Sequence, residues 1–99
     1  NLAKYDEWKD TDVVEIATYF LDGVMQEFID KTDGKEAMRR TNNHAKKGRA
    51  LGLGIMGWHT FLQKKNLPFN SIASTAWTHT IMSKMKMEAE AASRKLAVE

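Results

Sequence analysis

Three glycines in the stretch LGLGIMGWH, residues 51–59, have the spacing of a loop that binds the phosphates of a dinucleotide. Gly52, Gly54 and Gly57 match the pattern G-x-G-x-x-G, in which glycines let the backbone approach a pyrophosphate at the start of a helix. The same glycines can instead serve packing inside a buried strand that leads into a short helix. The residues around them decide between the two interpretations.

The surroundings of these glycines lack the other parts of a dinucleotide site. Such a loop lies between a strand and a long helix, and an acid about 20 residues further on binds the ribose hydroxyl. No Asp or Glu occurs between Glu36 and Glu88, and the helix after Gly57 must end before Asn66 and Pro68. A Walker-type loop is also excluded, since the sequence contains no Gly-Lys-Ser or Gly-Lys-Thr. Packing is therefore the favoured role, and we expect no cofactor-binding residue here.

Other residues that could carry out chemistry are scattered. His44, His59 and His79 do not have the four-residue spacing with which one helix face supplies two zinc ligands, so we expect no metal-binding residue. His59 has no carboxylate nearby in the sequence, which favours capping or packing over general-base catalysis. The chain has no cysteine, which excludes disulfides, thiolate metal sites and cysteine nucleophiles. The sequence therefore predicts no catalytic residue in this chain.

Helices account for most of the apolar pattern. We predict a first helix over residues 12–30, with Asp12 as N-cap and Glu15 completing a capping box. Apolar residues recur at spacings of three and four, as on one face of a helix. That stripe consists of Val13, Ile16, Ala17, Phe20, Val24 and Phe28, widened by Val14, Leu21, Met25 and Ile29. We expect this face, including Phe20, to be buried in the core.

A polar and basic segment follows the first helix. Residues 31–48 are predicted as a connector, with a helical turn over residues 36–40 that Asn42 and Asn43 end. Asparagine favours turns and caps over the interior of a helix because its side chain competes for backbone hydrogen bonds.

The second half of the chain contains one apolar run and two helical patterns. Residues 49–56 are predicted as a strand or loop, residues 57–65 as a short helix, and residues 71–98 as a long helix. The inner stripe of the long helix is predicted to be Ile72, Ala76, Ile81, Met85, Ala89, Ala92 and Leu96. The fold class expected from the whole pattern is a mainly α fragment with at most one short strand.

The composition of the chain restricts the class of protein to which it can belong. The 99 residues are 42% hydrophobic and 28% charged, which is typical of one packed globular domain. No apolar run approaches the roughly 20 residues of a membrane span. Residues 1–10 lack the basic start and apolar middle of a signal peptide. We therefore expect a cytoplasmic protein with no membrane partner.

Charge is divided along the chain. Residues 1–36 are rich in Asp and Glu, whereas residues 37–87 contain Lys and Arg but no acid. Pairing between the two parts explains this division, and it is the interpretation we favour. The alternative is a small helical module that binds nucleic acid through the basic stretch 39–49. The cations are not interleaved with aromatic residues as in a base-stacking platform, so we expect no nucleic-acid partner.

The run GRALGLGIMGWHTFLQKKNLPFNS resembles the large, catalytic subunit of class I ribonucleoside-diphosphate reductases. The resemblance rests on Arg49-Ala50-Leu51-Gly52-Leu53-Gly54, then Gly57, His59, Leu62-Gln63 and Leu67-Pro68-Phe69. Residues 1–30 and the later stretch EAEAASRKLA resemble the flanking segments of the same family. The resemblance therefore covers nearly the whole chain.

The resemblance implies a fragment of a ten-stranded α/β barrel, with residues 12–30 as an outer helix, 49–56 as a barrel strand and 57–65 as the return helix. It implies an enzyme that converts ribonucleoside diphosphates to deoxyribonucleotides for DNA replication. A cysteine radical abstracts a ribose hydrogen, and a cysteine pair then reduces the sugar. ATP and dNTP effectors, a thioredoxin-type reductant and a metal-bearing, radical-generating small subunit are implied for the whole enzyme.

None of the family's reacting groups has a match in these residues. The radical cysteine with its Asn and Glu neighbours and the redox cysteine pair are not found, the substrate phosphate loop would lie beyond Glu99, and the effector sites would lie upstream. We therefore expect a scaffold segment that is inactive alone, with the rest of the large subunit and the small subunit as partners. Alone, it should either self-associate or convert residues 49–57 locally to helix or loop.

Overall fold

The computed structural model describes residues 1–98, which form five α-helices joined by turns. In chain order, the helices are α1 (Tyr5–Trp8), α2 (Val13–Thr32), α3 (Arg39–Gly48), α4 (Trp58–Lys64) and α5 (Ile72–Val98). Short 3-10 turns, Leu2–Lys4 and Glu36–Met38, precede α1 and α3. Residues 1–98 contain no strand. The predicted fold class, mainly α with at most one short strand, is confirmed.

The core lies where the N-terminal turn, α4 and α5 meet. Its central side chain is Phe61, only 3% exposed, which makes edge-to-face contacts with Tyr5 and Trp77 at ring distances of 5.7 and 5.3 Å. Trp58 stacks on the same ring at 5.7 Å. The buried cluster comprises Leu2, Tyr5, Val14, Phe61, Leu62, Ile81 and Met85. The short α4 is thus held mainly by tertiary contacts, as expected for a helix too short to be stable alone.

Helix α2 presents a different face to this core from the one predicted. Val14 and Ile29 are buried, whereas Phe20 is 69% exposed and Ile16 and Val24 are also exposed. The expectation that Phe20 belongs to the core is therefore wrong for this chain. The apolar surface of α2 is wider than one neighbour can cover, and α5 covers only the side that carries Val14.

The long helix α5 follows its predicted inner stripe only in its central and C-terminal parts. Ile81, Met85 and Ala92 are buried. Ile72 is 90% exposed and Ala76 is also exposed, so the first two members of the predicted stripe are wrong. At the start of α5 a different face is covered, since Ser74 is buried and Trp77 packs against the core.

The predicted connector 31–48 is largely helical. The helix α3 continues through Asn42 and Asn43, which do not end it. The amide of buried Asn42 donates to the backbone carbonyl of Ile29 and to the hydroxyl of Thr32, both at 2.8 Å. The Ile29 carbonyl also accepts from the backbone N–H of Asp33 at 3.0 Å, so Asn42 is its second donor and joins α3 to the end of α2. Tertiary hydrogen bonds therefore outweigh the poor helix propensity of asparagine.

An ion pair joins the acidic N-terminal part of the chain to the end of α5. At the start of α2, the Glu15 carboxylate accepts a hydrogen bond from Lys95 of α5 at 2.8 Å and a second from Tyr19. The Lys95 bond, and secondarily the Tyr19 bond, hold the pKa of Glu15 below its ordinary value. The predicted N-cap, Asp12, makes no capping bond with its side chain, so the capping box does not form.

Two further pairs bind the N-terminal segment to the second half of the chain. Lys65 lies 3.7 Å from the Asp6 carboxylate. Lys84 of α5 lies 3.6 Å from the Asp10 carboxylate and also donates to the backbone carbonyl of Lys9. These contacts support pairing within the protein as the explanation for the divided charge.

Candidate functional site

The glycine-rich segment, defined here as residues 50–57, connects α3 to α4 without helix, turn or bend. Residue Arg49, at the end of α3, has a left-handed backbone with φ +43°, which is uncommon for a residue other than glycine. At the other end of the segment, Gly57 is the N-cap of α4 and has φ +81°. The predicted strand or loop over residues 49–56 is therefore a loop in this chain.

Gly57 is in close contact with the N-terminus of the same chain. A Cβ atom at this position would lie 2.5 Å from Oδ1 of Asn1 and 3.0 Å from the backbone nitrogen of Ala3. The backbone nitrogen of Leu2 donates to the carbonyl of Met56 at 2.7 Å. The third glycine of the pattern thus makes room for the turn Leu2–Lys4, which is the packing role favoured from the sequence.

The geometry of a dinucleotide site is not formed around these glycines. No strand precedes them within residues 1–98, and α4, which follows, has only 7 residues. The N-terminal turn of the chain occupies the space next to Gly57, where a pyrophosphate would have to approach. The spacing G-x-G-x-x-G therefore does not by itself indicate nucleotide binding here.

The three histidines are separated in the structure as they are in the sequence. His44 lies on α3, His59 on α4 and His79 on α5, and all three are exposed. In the part of the chain that the structure describes, no three His, Asp or Glu side chains are grouped so that they could hold a metal ion. The absence of catalytic, cofactor-binding and metal-binding residues from this chain remains a prediction.

Three of the five Lys and Arg residues in the basic stretch 39–49, the basis of the nucleic-acid alternative, are paired with acids of the same chain. Arg39 lies 3.6 Å from Glu36, and Lys46 donates to the carboxylate of Asp33 at 2.7 Å. The Lys46 hydrogen bond holds the pKa of Asp33 below its ordinary value.

Arg49 makes the most extensive of these contacts. Its guanidinium donates to Asp22 at 2.8 Å and to Gln26 at 2.7 Å, both on α2. This fixes the end of α3, and hence the start of the glycine-rich segment, against α2. With Arg39 and Lys46 paired as well, no observation favours the nucleic-acid alternative.

Two open cavities flank the glycine-rich segment. One of about 660 Å³ lies between α2, the segment and the end of α5, and one of about 570 Å³ lies between α2, α3 and the segment. Leu51 lines both, while Leu53, Met56, Phe20 and Val24 are further exposed apolar residues on the segment and α2. These side chains form an exposed apolar surface along α2 and the glycine-rich segment. In the sequence, the width of the apolar stripe on α2 indicated that this helix needs more than one neighbour to cover it.

Within residues 1–98, no helix combines the length and apolar character that crossing a bilayer would require.

Comparison with known proteins places the whole chain in one family. The family model described as the ribonucleotide reductase barrel domain matches residues 2–99. A protein of Frog virus 3 (isolate Goorha), named as a ribonucleoside-diphosphate reductase large subunit, is 41% identical over 100 residues, covering 100% of this chain and 18% of the viral protein. The ribonucleoside-diphosphate reductase large subunit of Invertebrate iridescent virus 6 is 38% identical over 87 residues, covering 87% of this chain and 9% of that protein.

A solved structure agrees with these relatives. The class Id ribonucleotide reductase alpha subunit of Actinobacillus ureae matches 98% of this chain with a TM-score of 0.94 and 42% identity, and the match covers 19% of that subunit. The chain thus spans less than a fifth of the length of the relatives it matches. Because the family model covers nearly every residue, the chain belongs to the ribonucleotide reductase family and corresponds to a segment of its barrel domain.

Proposed function

We propose that this chain is a scaffold segment of the large subunit of a ribonucleoside-diphosphate reductase. The observation that carries the proposal is the structural match, in which 98% of the chain superposes on 19% of an alpha subunit with a TM-score of 0.94. A backbone that is the same in a much longer protein is suited to work as a part of that protein. The exposed apolar residues on α2 and on the glycine-rich segment support this role, since they form surfaces that a larger fold can cover.

On this proposal, the complete subunit reduces ribonucleoside diphosphates to deoxyribonucleotides for DNA replication in the cytoplasm. ATP and dNTP effectors control it, a metal-bearing small subunit supplies the radical, and a thioredoxin-type reductant restores the enzyme. Chemistry that uses cysteine thiols requires cysteine, and these 99 residues contain none. The reacting groups therefore belong to other parts of the subunit, and the present residues support them.

A chimera tests the proposal. The matching segment of the Actinobacillus ureae alpha subunit is replaced by residues 1–99, and CDP reduction is measured with that enzyme's own small subunit. A second chimera carries the matching segment of the Frog virus 3 protein and controls for the transplantation itself. We expect both chimeras to fold and to reduce CDP. An unfolded chimera with the present chain beside an active viral chimera would contradict the proposal.

The isolated chain provides a second test. We expect no reductase activity and no tight binding of ADP or CDP, because the groups that would bind them are missing. Isothermal titration calorimetry checks this, and micromolar binding of either nucleotide would contradict a purely structural role.

A further inference from the structure

The helix α3 ends at a residue that is poorly suited to its backbone conformation. Arg49 has φ +43° and ψ +40°, and its N–H donates to the carbonyl of Ala45 at 2.9 Å. This is the left-handed closing turn that follows many helices, and its residue is usually glycine because a Cβ atom is unfavourable there. Within residues 1–98, the only other residue with a positive φ that is not glycine is Asn66, and asparagine tolerates this conformation better than arginine does.

A glycine lies one position before the residue that would benefit from it. Gly48 is the last residue of α3, its φ is not positive, and a Cβ atom there would meet nothing within 4 Å. Glycine within a helix is less favourable than alanine, so the observed conformation makes no use of this glycine. A left-handed Gly48 would end α3 one residue earlier and would close the turn on the carbonyl of His44.

The side chain of Arg49 explains why the helix ends at the less suitable residue. Its Nε and Nη2 atoms donate to Oδ1 of Asp22 at 3.3 and 2.8 Å, and its Nη1 atom donates to Oε1 of Gln26 at 2.7 Å. The amide nitrogen of Gln26 donates to Asp30 at 2.9 Å, which leaves its oxygen facing Arg49. Asp22, Gln26 and Asp30 follow one another at intervals of four residues and therefore share one face of α2.

We propose that α3 has two alternative C-terminal ends, with either Arg49 or Gly48 as the left-handed residue, and that Asp22 and Gln26 select the first by binding Arg49. The Arg49 end gains three side-chain hydrogen bonds and the backbone bond to Ala45. The Gly48 end relieves the arginine of a left-handed backbone and places glycine where it is favoured. Removal of the side-chain bonds should therefore reverse the preference. Both ends are properties of the chain itself and do not depend on the proposed function.

A change of end would alter the glycine-rich segment. Leu51 now lines both cavities beside α2. Successive residues of an extended backbone point to opposite sides, so a turn that begins one residue earlier moves Ala50 into the place of Leu51. The hydrogen bonds of one arginine thus determine which side chains of the segment face α2.

The substitution Gly48→Ala tests the proposal in two backgrounds. In the wild-type chain Gly48 is helical, so alanine should raise the thermal midpoint by about 4 °C. Arg49→Met keeps the length of the side chain but removes its donors, so Gly48 should become the left-handed residue. In that background, the same alanine should lower the midpoint. Asn43→Ala, at an exposed position of α3, is the control and should have the same effect in both backgrounds.

NMR coupling constants give the sign of φ at positions 48 and 49 independently. We expect a positive φ at position 49 in the wild-type chain and at position 48 in Arg49→Met. If Arg49→Met does not fold, Gln26→Met removes one of the three bonds, and Gly48→Ala should then raise the midpoint less than in the wild type. The proposal is overturned if Gly48→Ala has the same effect in every background, if it destabilises the wild-type chain, or if position 49 of Arg49→Met keeps a positive φ.

Discussion

The same substitution at two phenylalanines gives a sharp test of how this chain is packed. Phe61 is 3% exposed and is in contact with three other aromatic rings, whereas Phe20 is 69% exposed on the outer side of α2. Replacing a buried phenylalanine with alanine typically costs about 3–5 kcal/mol in the free energy of unfolding. Phe20 buries only about a third of its surface, and scaling the same cost by that fraction gives about 1 kcal/mol.

Urea denaturation followed by far-ultraviolet circular dichroism measures both values. Phe61→Ala can unfold a small domain completely, because marginal stability leaves only about 5–15 kcal/mol in total. The milder Phe61→Leu therefore accompanies it and should give an intermediate loss. We expect Phe20→Ala to remain folded with an unchanged denaturant slope. If Phe20→Ala is as destabilising as Phe61→Ala, the outer face of α2 is buried in solution and the arrangement described here is wrong.

Two further predictions concern polar contacts. Asn42→Ala should lower the free energy of unfolding by about 1–3 kcal/mol, because it removes two buried hydrogen bonds, one to the Ile29 carbonyl and one to the Thr32 hydroxyl. The exposed neighbour variant Asn43→Ala is the control in the same denaturation assay and should have little effect. The lowered pKa of Glu15 means that its contribution to stability is present above the ordinary carboxyl value of 4.5 and is lost as the pH falls through the lower folded value. Carboxyl NMR titration should show this pKa returning toward its ordinary value in Lys95→Met, and an unchanged titration would contradict the pairing.

The long helices could be located from the sequence, but their orientation could not. The periodicity over residues 12–30 and 71–98 predicted α2 and α5 to within two residues at each end. Periodicity describes which residues share a face, not which face a neighbour covers. Phe20 and Ile72 were therefore placed in the core because the pattern includes surfaces that this chain cannot cover by itself.

The helix α3 and the glycine-rich segment depend on contacts with distant residues, which a local sequence pattern does not contain. Asn42 is unfavourable for a helix when only its own segment is considered, and the two hydrogen bonds that stabilise it come from residues far away in the sequence. The packing role of Gly57 agrees with the sequence analysis, although its neighbour, the N-terminal turn, could not be identified from spacing. At Gly52 and Gly54 a Cβ atom would meet nothing within 4 Å and neither φ is positive, so the structure of residues 1–98 does not require glycine there.

The contacts of Arg49 determine the direction in which the chain leaves α3. A glycine would adopt the left-handed backbone at this position at lower energy, but it could not bond to Asp22 and Gln26. The backbone of Arg49 is therefore strained, and its side-chain contacts restrict the direction in which the following residues run. The conformational entropy of this joint is therefore lost when the segment itself folds, and the glycine-rich segment begins from a fixed backbone direction.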